Sequence, residues 1–285
     1  MKNKKLIYDV GLHLGYDTKF YLEKGFKVIA IEANPELINS AKKRFKSEIQ
    51  SGDLILLNVA ISEKDSEYIP FYISKQRSIQ SSVQKNMAER NSEVTEINVE
   101  SFRLSTLFNK YGIPFYCKID IEGYDYVALE SLKSINQLPQ FISAEINNIA
   151  KDGRTGEEIK DLEELKLIWL SILSKLNELG YKKFKIVDQG TLKVLPKDIK
   201  STSISLYNNS LLSRVYKKAL RFYKCFINNP SFNFGYLSDS SGPFANELSG
   251  LWLDFDDAQK AIINHGTNMY KHKINVIWCD IHATS

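Results

Sequence analysis

Apolar residues come in short runs separated by amphipathic segments through the first 150 positions. Residues 6–10, 27–31, 54–61, 115–121 and 141–146 are nearly continuous apolar runs, the pattern of strands buried on both faces. Between them, 16–24 reads as a helix stopped by Gly25, and 35–46 as a helix opened by Pro35, a favourable first-turn position for proline. Residues 124–132 supply a further helix after the fourth run. This alternation predicts an α/β fold with a doubly wound, mostly parallel sheet. Two alternating segments, 68–73 and 94–102, predict added strands, with a polar, Ser/Gln-rich loop over 76–91. Apolar residues at helical spacing from Ile159 to Leu176 place a helix over 157–179, capped by Gly180. A sixth strand follows at 183–187, and a last strand, expected antiparallel to its neighbours, at 275–281.

The segment 189–273 departs from this rhythm. It holds a basic aromatic stretch from Tyr216 to Lys224 and then turns rich in Phe, Asn, Ser and Gly. It is longer than a hairpin connection needs, and long connections inside a domain tend to be functional. The expected organisation is therefore one domain, 1–188 plus 274–285, with 189–273 as a long insertion before the last, antiparallel strand, acting as a lid or acceptor platform.

Composition narrows the class. With 43% hydrophobic and 25% charged residues, the chain is that of an ordinary soluble globular protein. Lys and Arg total 38 against 34 Asp and Glu, a net charge of +4 spread along the sequence, which is no nucleic-acid footprint. Cys117, Cys225 and Cys279 are far apart and form no C-x-x-C pair, so their spacing indicates neither a zinc site nor a disulfide framework. The first apolar run is too short for a signal-peptide core, and no stretch approaches 18 apolar residues, so a cytoplasmic protein without a membrane span is expected. A homodimer stays open.

Three segments carry candidate chemistry. Asp9-Val10-Gly11-Leu12-His13-Leu14-Gly15 runs from a strand through a glycine turn into a helix, where glycines allow close backbone approach and a helix N-terminus offers free N–H groups. The spacing is G-x-x-x-G and not the G-x-G-x-x-G of dinucleotide-binding turns, which disfavours a nicotinamide-dependent oxidoreductase. Glu32, 21 residues after Gly11 at the end of the second strand, matches an acid that accepts hydrogen bonds from a ribose diol. Asp120 and Glu122 gather at the carboxyl end of the fourth strand, the edge where doubly wound sheets bind ligands.

Together these segments resemble the FkbM family of S-adenosylmethionine-dependent methyltransferases. The resemblance is carried by Asp9-Val10-Gly11 with Gly15, Glu32-Ala33-Asn34-Pro35, Asn58 to Ser62, Ser81-Ser82, Lys118-Ile119-Asp120-Ile121-Glu122-Gly123 and Glu145. The tail, through Ser240 to Phe244 and Trp278 to Ala283, is similar to a subset of the family. It implies a Rossmann-like methyltransferase fold, S-adenosyl-L-methionine as cofactor, and methylation of a hydroxyl on a sugar, glycan or related small molecule, with no nucleic-acid partner. It also implies that Asp9, Gly11 and Gly15 flank the methionine part of the cofactor, with His13 in the cofactor-binding loop. Glu32 would hold the ribose, Ala60 and Ile61 would border the adenine, Asp120 would lie beside the reacting methyl, and Ala33 and Asn34 would also belong to the cofactor site. Leu12-His13 stands where the family usually has Ala-Asn. The chain lacks the Asn/Asp-Pro-Pro-aromatic motif of nucleic-acid amino-methyltransferases.

A hydroxyl acceptor must lose its proton as it attacks, so a base within hydrogen-bond reach is needed. Asp120, Glu122 and His265 are the candidates, His265 because it precedes the last strand on the expected cofactor side. Alternatively, Asp120 with Glu145 would hold Mg²⁺, lowering the acceptor's pKa. The remaining alternative is a methyltransferase-like fold kept as a non-catalytic binding module.

Overall fold

The computed structural model describes residues 4–75, 81–89, 93–150, 153–190, 192–196 and 241–285. They form two compact units, 1–144 and 145–285.

In the first unit the apolar runs become parallel strands. β1 (Leu6–Val10), β2 (Lys27–Ile31), β3 (Leu54–Leu57), β7 (Tyr116–Ile119) and β8 (Phe141–Glu145) lie in the order β3-β2-β1-β7-β8. The chain moves outward from β1 through β2 to β3, then returns to the other side of β1 as β7 and β8. The order therefore reverses at β1, and open α/β sheets bind ligands outside the carboxyl ends of the strands at such a point. The register aligns these ends, since Val10 is level with both Ile31 and Ile119. Gly11, Glu32 and Asp120 each follow directly.

α1 (Tyr16–Glu23) and α2 (Pro35–Arg44) link the first strands; Pro35 opens α2, as expected, and Asn34 caps it by accepting the Glu36 N–H. α3 (Lys46–Gln50) is a separate turn where the sequence predicted one helix through residue 46. The predicted strand over 54–61 divides. Asn58 Nδ2 donates to the carbonyls of Glu32 and Ala33, which ends the ladder beyond Leu57. The chain then enters a second sheet as β4 (Ala60–Ile61), beside β6 (Val94–Phe102), which pairs antiparallel with β5 (Glu67–Ser74). Ala33, Ala60, Phe71 and Val99 form the small core under that sheet. α4 (Lys85–Ala88) lies inside the stretch expected to be a loop. α5 (Leu104–Tyr111) was not predicted, while α6 (Asp125–Ser131) was.

The second unit holds α7 (Leu162–Leu179), β9 (Lys183–Asp188), the short β10 (Lys193–Val194), α8 (Phe255–Lys271) and β11 (Cys279–Thr284). β11 runs antiparallel to β9, as expected. It begins at Cys279 and not near residue 275, because the Asn148 side chain accepts the Ile277 N–H and donates to the Ile277 carbonyl, taking both groups from the ladder. α7 starts at Leu162, where Asp161 accepts the Glu164 N–H, later than the predicted 157. α8 was missed within the expected insertion; its Gly266 packs so closely on the Trp169 ring of α7 that a Cβ there would clash. Within that insertion, residues 191 and 197–240, including Tyr216 to Lys224 and Ser240, lie outside the described residues. No helix among the described residues is long and apolar enough to cross a membrane.

β11 buries His282 opposite Lys185 of β9. Burial, and then the nearby ammonium, push the imidazole down from 6.5 to about 3. The unfolded chain therefore binds a proton near pH 6.5 that the folded chain refuses until about 3. The stabilising effect is complete above pH 6.5 and is lost as pH falls toward 3. His282→Gln should flatten this limb of a stability–pH profile from chemical denaturation, by on the order of a few kcal/mol across the window. An unchanged slope would remove His282 as its cause.

Candidate active site

The register of β1 and β7 sets Asp9 directly opposite Lys118, so both side chains leave the same face of the sheet. α1 supplies Asp17 and Thr18. Lys118 Nζ lies 3.0 Å from Asp120 Oδ2, 3.3 Å from Asp17 Oδ2 and 3.8 Å from Asp9 Oδ1, and its side chain is only 5% exposed. Thr18 Oγ1 donates to Asp9 Oδ2 at 2.6 Å. One ammonium thus faces three carboxylates. Burial, only partly offset by Lys118 and Thr18, pushes the Asp9 carboxyl well above its ordinary value, and the Asp17 and Asp120 charges add to the rise. The same acids outweigh desolvation at Lys118 and hold its ammonium well above the usual lysine range. Of the three acids, Asp120 reaches solvent, with its side chain 41% exposed against 7% for Asp17 and none for Asp9.

The glycine loop wraps this cluster. The N–H groups of Gly11 and Leu12 both donate to the Ile31 carbonyl. Gly11 has φ +94°, and a Cβ there would collide with the Asp120 carbonyl oxygen, so only glycine lets the loop and the end of β7 meet. Gly15 has φ +72°, and a Cβ there would come within 2.9 Å of the Phe45 ring. His13 also adopts a left-handed backbone, φ +48°. Its N–H donates to Glu32 Oε2 at 2.9 Å, while Asn34 N–H donates to Glu32 Oε1 at 2.9 Å. Burial raises the Glu32 carboxyl, and these N–H groups oppose the rise. Backbone N–H groups of Asn34, His13 and Ala33 thus hold the Glu32 carboxylate at the end of β2.

The structure therefore brings together Asp9, Gly11, His13, Gly15, Glu32 and Asp120. Glu122 follows in the turn after β7, also left-handed at φ +49°, with its carbonyl accepting from Ser82 Oγ at 3.0 Å. Ala33 and Asn34 are buried, the former in the small core and the latter as the cap of α2. Ala60 and Ile61 are buried in β4. Glu145 and His265 fall in the second unit, and His265 is 1% exposed within α8. Among the described residues, no group of three metal-ligating atoms includes Asp120 or Glu145, and the Lys118 ammonium already supplies a cation to Asp120. Lys118, Asp17, Thr18 and Asn58 were not assigned from sequence. Lys118 and Asn58 lay inside quoted motifs, but only the register shows what they touch.

The family model of the methyltransferase FkbM domain matches residues 9–183. No curated protein matches the chain significantly. Among solved structures, the chain is similar to precorrin-6y C5,15-methyltransferase from Geobacter metallireducens, at 10% identity over 66% of this chain and 69% of that one, TM-score 0.31. It is also similar to phosphoethanolamine N-methyltransferase 2 from Haemonchus contortus, at 10% identity over 100% of this chain and 49% of that one, TM-score 0.40. A third is an O-methyltransferase from a Brevibacillus brevis multienzyme, at 8% identity over 99% and 66%, TM-score 0.40. The chain spans about half the length of the Haemonchus enzyme. Likenesses this distant add nothing to the fold read from the strands.

Removing the ammonium would leave three acids facing one another in a buried site. Lys118→Met should cost about 3–5 kcal/mol in chemical denaturation, the scale for breaking a buried pair. Adding Asp17→Asn should recover part of that loss by removing one uncompensated charge. A double variant no more stable than Lys118→Met would refute this electrostatic account.

Proposed function

We propose, because the chain belongs to the FkbM methyltransferase family, that it transfers a methyl group from S-adenosyl-L-methionine to a hydroxyl oxygen of a sugar, glycan or related small molecule. The observation that carries this reading is the convergence of Gly11, Glu32 and the solvent-reaching Asp120 at the carboxyl ends of β1, β2 and β7. These residues suit that cofactor: Gly11 leaves room for a close approach, Glu32 offers a carboxylate to a diol, and the acid excess around Lys118 complements a cation. When bound, the cofactor supplies a methyl group already activated on a sulfonium.

The chain's own contribution is placement and proton handling. Glu32, fixed by the His13 and Asn34 N–H groups, presents its carboxylate to a ribose. Lys118 holds Asp120 through Oδ2. Asp120 is exposed enough to accept the proton of an acceptor hydroxyl and to orient its oxygen. Holding that oxygen in line supplies most of the rate for an activated donor, since pre-paid orientation is worth several kcal/mol. The expected platform over 189–273 lies largely outside the described residues, and none of these steps depends on it.

Calorimetry should show S-adenosylhomocysteine binding and no NAD binding; the reverse would favour an oxidoreductase. Glu32→Ala should weaken that affinity by about 1.5–3 kcal/mol, about 10- to 150-fold. An unchanged affinity would take Glu32 out of the site. Asp120→Asn should lower methyl turnover on a hydroxylated acceptor by about 100-fold or more, a larger effect than it has on cofactor affinity. Wild-type turnover in that variant would refute its role, and cofactor binding without turnover on any glycan extract would favour a binding module. Added Mg²⁺ should leave turnover unchanged; stimulation would restore the metal reading of Asp120.

A further inference from the structure

The second unit contains a cluster that the methyl-transfer reading does not use. Asp188 ends β9 and Cys279 begins β11, and the antiparallel register sets them directly opposite each other. Cross-strand partners hold their Cβ atoms about 4.5–5.5 Å apart on one face. The buried stripe of α8 runs through Ala258, Ala261, Ile262, His265, Gly266 and Met269, with His265 its one ionisable member. His265 Nε2 lies 4.0 Å from Asp188 Oδ2. An imidazole nitrogen, a carboxylate oxygen and the Cys279 sulfur all lie within 4.8 Å of one another, and all three residues are buried. The contact of Gly266 with Trp169 fixes the next position of α8 against α7, so the imidazole is held by a packed helix and not by a loop.

We propose that Asp188, His265 and Cys279 form a metal centre for a borderline divalent transition metal, with Zn²⁺ the best match. The donor set argues for this class. Mg²⁺ and Ca²⁺ take oxygen ligands, whereas one sulfur, one nitrogen and one oxygen suit zinc and its neighbours. Zinc bonds of about 2.0–2.3 Å in a tetrahedron imply ligand separations of about 3.3–3.8 Å. The side chains therefore need close in only modestly from the arrangement observed. Charge also balances: on binding, the Cys279 S–H bond breaks, its proton goes to solvent and the thiolate pair forms the sulfur–metal bond. The thiolate and the Asp188 carboxylate then cancel the dication, with neutral His265 as third ligand. Neutrality matters in a site this dry, where an unpaired charge is costly. Three protein ligands leave a fourth position for water or a small ligand. The spacing of the cysteines in sequence did not indicate this site, because its ligands lie 77 and 14 residues apart.

The test is a Co²⁺ titration of the full chain after it has been stripped with a chelator and dialysed. The expected result is a visible d–d band and a near-ultraviolet thiolate-to-cobalt charge-transfer band, both saturating at one equivalent and both bleached by added Zn²⁺. Cys279→Ser should abolish the charge-transfer band and weaken Co²⁺ binding at least about 10-fold, on the scale seen when a metal site loses a supporting group. His265→Gln should weaken binding similarly while keeping the charge-transfer band, and it serves alone if the cysteine variant does not fold. The proposal is overturned if the folded wild-type chain shows no bands. It is equally overturned if Cys279→Ser keeps the charge-transfer band, which would assign the metal to Cys117 or Cys225, or if His265→Gln binds Co²⁺ as the wild type does.

Discussion

The first unit is organised around one buried ammonium. Taking a lysine out of water costs several kcal/mol, and Lys118 is tolerated because Asp9, Asp17 and Asp120 surround it. Each carboxylate comes from a different element: β1, the first turn of α1 and the end of β7. The cluster thus fixes the start of α1 against β1 and β7 where the strand order reverses. It is also unbalanced, with three acids for one base. Desolvation raises the innermost acid, Asp9, while Asp120 carries the negative charge to solvent. With a structural lysine inside and an acid at its mouth, the cluster presents negative charge to solvent at the carboxyl ends of the strands.

The glycine loop and Glu32 depend on the same register. Val10 aligned with Ile31 and Ile119 makes the three strand ends level, so Gly11 must pass beside the Asp120 backbone. No other residue type fits there, and the loop is then stitched to β2 by the Gly11 and Leu12 N–H groups. That stitching turns the His13 N–H toward Glu32. The strain of a left-handed His13 is balanced by a charge-assisted hydrogen bond, which gives a physical reason for the loop to keep its shape before any ligand arrives.

Much of this first unit was legible because parallel strands buried on both faces write themselves as apolar runs. The bounds of β1 and β2 and those of β6 agree with the sequence reading residue for residue. The failures have local causes. Residues 54–61 are one apolar run but two strands, because Asn58 takes up the Glu32 and Ala33 carbonyls, a tertiary contact invisible to periodicity. Glu32 and Asp120 were legible as strand-end acids. Lys118 was not, since a lysine within a strand has meaning only once Asp9 is known to lie opposite it. α8 escaped notice because its buried stripe is Ala, Ile, His, Gly and Met, too small and too polar to register as an apolar face. Gly266, which weakens the helical signal, is there to admit Trp169.

The two polar clusters differ in the kind of cation they can accept, and the difference follows from their donor atoms. Around Lys118 the acceptors are all oxygen, and the compensating charge is covalently part of the chain, so what remains at the surface is a diffuse negative field suited to an organic cation. At Asp188 the neighbours are a nitrogen and a sulfur, brought in by a helix and a cross-strand partner, and each can share a lone pair with a metal. Hard oxygen donors beside a lysine compete poorly for a transition metal, whereas a thiol and an imidazole beside a carboxylate compete well. The chain thus keeps the all-oxygen cluster and the mixed-donor cluster in separate units, each with its donors set by the packing around it.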